Sequence, residues 1–169
     1  MSGLDPVALY EYLTIARARV LDAARGLSLE QYTREFPFGL KTLRNTLVEV
    51  PIAEWSYVRR LWGEDLPPWD ERPHARFYHT ELAPLEGAWR EQEAETRRAL
   101  RDVTDWSRPV EYVWRASRAS GEPSFRVRTT AAGIAAQLVL HEVHHRAQAM
   151  AMLRQLGRPV EDLDYSLLT

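Results

Sequence analysis

The chain contains no cysteine. That absence excludes a disulfide scaffold, a thiolate zinc finger, an iron–sulfur cluster and a cysteine nucleophile. Any thiol chemistry would need a thiol brought in as a cosubstrate. A long hydrophobic run is also missing. The longest near-apolar stretch, 131–140, is interrupted by Gln137 and falls well short of the roughly 20 residues a membrane helix needs. The opening residues Met1-Ser2-Gly3-Leu4-Asp5-Pro6 show neither the basic region nor the apolar segment of a secretory leader. The expectation is a soluble cytoplasmic protein with no membrane partner. Nor is there a surplus of charge: 22 Lys plus Arg stand against 24 Asp plus Glu, which offers no basic footprint for nucleic acid.

What is present describes one globular domain over residues 1–169. Its apolar fraction of 45% and charged fraction of 27% are ordinary for such a domain. Helix punctuation is clear. Asp5 before Pro6 reads as a cap followed by proline at the first helical position, and Gly26 reads as the stop. Between them Tyr10, Leu13, Ala16, Val20, Leu21 and Ala24 recur at helical spacing. After a connector carrying Pro37 and Gly39, Thr42 caps a second helix that runs to Gly63, with Pro51 expected to kink it near Glu49. Residues 64–76 hold three prolines and read as loop. A third helix is expected from Tyr78 or His79 to about 101. Residues 108–128 then alternate apolar and polar about Ser120-Gly121-Glu122-Pro123, a hairpin signature. A fourth helix, about 130–156, is stopped by Gly157 and Pro159. The fold expected is all-α, a four-helix bundle with a short β-hairpin before the last helix. The connection lengths leave both up-down-up-down and up-down-down-up open.

The chemistry concentrates in His141-Glu142-Val143-His144-His145-Arg146-Ala147-Gln148. His141 and His145 continue the apolar stripe of Ile134, Leu138, Met152 and Leu156, so two imidazoles one turn apart face the core. Burying both without partners is costly, and their spacing is that with which a helix grips a divalent metal. The same letters spell H-E-x-x-H with Glu142 as a would-be general base. That zincin reading lacks its context: no downstream third-ligand motif follows, and the upstream chain is helical. On the second helix Glu49 lies at the flank of the apolar side and Glu54 nearer its centre, and spacing does not choose between them as a third ligand. His144, one residue off the stripe, suits a supporting contact. His79 suits a surface or capping position.

The hairpin ending in Gly121-Glu122-Pro123-Ser124-Phe125, followed by the His141–Gln148 helix, resembles the DinB/YfiT-like superfamily with its terminal H-x-x-x-H-R-G-Q helix. Thr42-Leu43-Arg44-Asn45-Thr46-Leu47-Val48-Glu49 resembles that family's second-helix start. The resemblance extends from the first helix to Leu156. It implies a four-helix bundle, a divalent cation (zinc, nickel, iron or manganese) held by Glu49, His141 and His145, and a homodimer. Glu49 stands where the family usually has histidine, and Ala147 where it usually has glycine. Two histidines and one carboxylate remain a sensible facial set for these metals. The function implied is a metal-dependent enzyme, a thiol-dependent transferase or isomerase or a hydrolase, acting on a small molecule and using water or a low-molecular-weight thiol. Arg146 is the expected anchor for an anionic substrate or thiol. The alternative is a non-catalytic helical homodimer closed by Trp55, Trp62 and Trp69, its metal lost or structural.

Overall fold

Helix α1 (Pro6–Ala24) begins where the Asp5 carboxylate accepts the Val7 amide proton at 2.9 Å, satisfying one of the orphan donors of the first turn. The structure, a computed structural model, describes residues 5–114 and 124–168. A short helix α2 (Leu29–Thr33), closed by a Ser28–Gln31 capping box, lies in the connector. Helix α3 (Leu43–Trp62) is capped by Thr42 and ended by Gly63 in the left-handed conformation. Pro51 sits inside this helix, which remains continuous through it; the missing N–H costs only the bond to the Leu47 carbonyl.

The segment expected to be loop contains two 3-10 stretches, Trp69–Glu71 and Pro73–His79. Tyr78 and His79 therefore belong to this crossover, and the next helix, α4 (Leu82–Arg101), starts later than the sequence suggested. Pro84 explains the start. In the third helical position its missing N–H falls among amides with no intrahelical acceptor. Strands β1 (Pro109–Trp114) and β2 (Phe125–Thr130) pair antiparallel with Tyr112 opposite Val127 and Trp114 opposite Phe125. The turn expected at Ser120-Gly121-Glu122-Pro123 lies outside the described residues. Helix α5 (Ala131–Gln155) follows directly, capped by Thr130, and a last turn, α6 (Tyr165–Leu168), packs against α1.

Side-chain pairings set the directions of the bundle. Glu11 meets Arg97 and Arg25 meets Glu86, so α1 and α4 are antiparallel. Thr46 lies by Met152 and Tyr57 by His141, so α3 and α5 are antiparallel. Glu54 bonds Trp89, Arg59 pairs with Glu95 and Arg98 covers Trp62, so α3 and α4 run the same way. The bundle is up-down-down-up, and the crossover 63–81 must travel back along it. Tyr10, Leu13, Leu43, Ile52, Leu85, Ile134, Met152 and Leu153 are fully buried between the four long helices. No helix among the described residues is long and apolar enough to cross a membrane.

A second, polar centre crosses this core. Arg17 is 3% exposed. Its guanidinium reaches both carboxylate oxygens of Glu142, at 3.1 and 2.6 Å, and also Glu54 and Glu93 at 2.9 Å each. Glu54 further accepts from Thr96 at 2.7 Å, from the Trp89 indole at 3.0 Å and from the Tyr10 hydroxyl. One arginine thus ties α1, α3, α4 and α5 together.

A candidate metal centre between the second and last long helices

His141 and His145 stand one turn apart on α5, ring centroids 4.5 Å apart. Glu49 comes from α3, its Oε1 3.7 Å from His141 Nε2. One ligand atom from each of the three lies within 4.8 Å of the others. Donors bound to a single zinc at about 2.0–2.2 Å sit roughly 3.3 Å apart in a tetrahedral site, so small side-chain rotations close the set. His145 is buried, while the Glu49 and His141 side chains keep 18% and 16% exposure. The centre therefore opens to one side of the bundle.

The supporting contacts fix what each ligand offers. Gln148 Oε1 lies 3.1 Å from His145 Nδ1, which places the ring proton on Nδ1 and leaves Nε2 free for a cation. The same amide reaches His144 Nε2 at 2.9 Å, so His144 acts through Gln148. Gly39 makes room for that amide: it has a φ of +57°, and a Cβ there would come within 2.9 Å of Gln148 Oε1. Tyr78, from the crossover, donates to Glu49 Oε2 at 3.0 Å and leaves Oε1 facing the histidines. The Tyr57 ring meets His141 edge-on. Burial, with the neighbouring His141 adding to it, holds the His145 pKa below the ordinary histidine value. The imidazole is neutral near pH 7, the form that binds metal. Two imidazoles and a steered carboxylate fit a divalent ion.

Other residues singled out from the sequence lie elsewhere. Arg146 is on the neighbouring face of α5, where it donates to the Tyr12 hydroxyl at 2.6 Å; Tyr12 in turn donates to the Leu163 carbonyl. Glu142, the base of the zincin reading, is committed to Arg17. Glu54 is committed to the same network, and Glu49 is the carboxylate that stands with the two histidines. His79 is exposed at the end of its 3-10 segment. Sequence reasoning missed Gln148, although it closes the recognised motif, and it missed Tyr78, whose segment carried no periodic signal.

Two results are expected here. Gln148→Ala should weaken zinc binding by about 10–100-fold, as removal of a ligand's orienting partner does, with the fold intact by circular dichroism. Burial also lowers the His74 pKa. With His74 and His145 both depressed in the folded state, the unfolded chain binds more protons as pH falls through about 6.5. Stability of the metal-free protein should be full above that pH and decline below it, read by urea denaturation at pH 7.5 and 5.5.

The sequence model of the DinB family matches residues 1–169, the whole chain. The protein belongs to the DinB family. Among curated proteins no match is found.

Proposed function

We propose that the protein is a metal-dependent enzyme of the DinB type, in which Glu49, His141 and His145 hold one divalent cation and a small molecule reacts at its open side. The observation that carries this reading is the convergence of three ligand atoms from two helices within 4.8 Å. When bound, such a cation lowers the pKa of a coordinated water or thiol and so supplies a nucleophile at neutral pH. The chain's own residues do the rest. Gln148 sets the His145 tautomer, Tyr78 steers the Glu49 carboxylate, and the Tyr57 ring backs His141. With no cysteine in the chain, a thiol nucleophile would come from a low-molecular-weight cosubstrate. Arg146, expected to anchor an anionic substrate or thiol, meets the Tyr12 hydroxyl through its Nη2. The half-buried Trp55, Trp62 and Trp69 support the companion proposal that two chains pair.

Elemental analysis of the purified protein and calorimetric titration with zinc, nickel and manganese test the centre. One ion per chain is expected. Consumption of a chromogenic electrophile with and without added thiol then tests the activity. Metal-dependent turnover supports the enzyme, and stoichiometric binding without turnover for thiol or water favours a structural metal. Light scattering at micromolar concentration reads the pairing.

A further inference from the structure

Two buried arginines gather along the face of α3 that carries Glu49. Arg60 is 11 residues after Glu49, which on a helix is the same face about three turns on. It is 7% exposed. Its guanidinium rests 3.8 Å over the Tyr112 ring and 5.5 Å from the Tyr57 centroid, and its Nε has no hydrogen-bond partner. Among the described residues its charge is met by rings rather than by a carboxylate. Arg72, 5% exposed, comes from the crossover. It donates to Ser56 Oγ at 2.8 Å and to the Pro67 carbonyl at 3.4 Å, and it lies over Trp69. Both of its acceptors are neutral. Ser56 shares the Glu49 face of α3, two turns along.

Taking a guanidinium out of water is costly unless an anion compensates it. The strain shows in both groups. Burial pulls Arg60 below the ordinary arginine value, and burial together with Arg60 pulls Arg72 down to about 10. The charge that partly offsets Arg72 is Glu49, the carboxylate the metal reading assigns to the cation. Loading the centre therefore removes that compensation and adds further positive charge.

We propose that the face of α3 from Glu49 through Ser56 to Arg60, closed by Arg72, is an anion-binding track, on which a small molecule bearing one or two carboxylates is held by the two arginines while its reactive end reaches the cation. This rests on the metal reading above and names the chemical class of its ligand. Guanidinium forks suit carboxylates through paired hydrogen bonds. Tyr57 links the two ends, since it touches both His141 and Arg60.

The test uses the full chain, metal-free and zinc-loaded. Its probes are succinate, mercaptosuccinate and the neutral diamide succinamide, read by calorimetry and by the shift in melting temperature. Succinate should bind and raise the melting temperature, and succinamide should do neither. Arg60→Gln and Arg72→Gln should each weaken succinate by about 10-fold or more, the value of a charged hydrogen bond, with zinc still bound at one ion per chain and no more weakly than in the parent. If Arg60→Gln does not melt cooperatively, Arg60→Lys replaces it; losing the planar fork should still weaken succinate several-fold. Mercaptosuccinate should bind more tightly than succinate in the zinc form alone. Equal binding of succinate to the wild type and the arginine variants, or of succinamide and succinate to the wild type, overturns the anion track. Failure of zinc to bind, with arginine-dependent succinate binding intact, overturns the metal reading and leaves the track standing.

Discussion

Arg17→Met should cost about 3–5 kcal/mol of stability, the loss expected when one partner of a buried ion network is removed. Arg17 is 3% exposed and it compensates two carboxylates, Glu54 and Glu142, that are themselves 2% and 4% exposed. Without it the two lie stranded in a medium that cannot solvate them. Glu54 keeps its bonds from Tyr10, Trp89 and Thr96. Glu142 keeps less, so the damage should concentrate on the α1–α5 contact. Burial already raises the Glu142 pKa, and Arg17 is the strongest influence opposing that rise. In the variant the folded state should hold a proton on Glu142 that the unfolded chain releases. The deficit should accordingly be larger at pH 8 than at pH 5. Urea denaturation of the metal-free protein at both pH values measures it. Adding Glu54→Gln and Glu142→Gln to Arg17→Met should recover much of the loss, because the charges themselves are then gone.

The second large effect concerns the centre. His141→Ala should reduce zinc affinity by more than about 100-fold, beyond what the loss of an orienting residue costs. The side chain keeps 16% exposure, so the melting temperature of the metal-free protein should change little. Glu49→Gln keeps the shape and removes the charge, and should also weaken binding strongly. Glu49→His restores the histidine implied by the family pattern and should bind zinc at least as tightly as the parent. Calorimetric titration on the three variants, each checked by circular dichroism, reads these outcomes. Unchanged zinc stoichiometry and affinity in both His141→Ala and Glu49→Gln would place the metal elsewhere.

Much of this molecule is written locally in its sequence. Asp5-Pro6, Thr42, Gly63 and Thr130 punctuate helices that form where they stand, because capping is satisfied within a few residues. The His141–His145 pair is equally local, since four residues of helix decide that both rings share a face. Glu49 is different. Its inward position depends on α3 packing antiparallel to α5, and only the family resemblance supplied that pairing. The 3-10 stretches of 69–79 carry proline and mixed polarity without period, so nothing in them announced that Tyr78 and Arg72 would return to the centre. Arg17 did leave a trace. It falls on the stripe of Leu13, Val20 and Leu21, and a charge on such a stripe calls for a buried counter-charge. The partners, on α3, α4 and α5, could be found only from the assembled bundle.

Because α3 and α4 run in the same direction, the chain must cross the outside of the bundle between them, and that passage gives the protein a division of labour. Glu49, His141 and His145 are rooted in long helices that build the core, so they are hard to move without unfolding. Tyr78 and Arg72 arrive on the crossover, and Tyr112 on the hairpin. These segments fill little of the core, and loops of this kind tolerate exchange far better than the elements they join. Substitutions there can reshape what approaches Glu49, His141 and His145 while those three stay fixed. A bundle built this way can change much of what surrounds those three residues by editing its connectors, with the long helices left as they are.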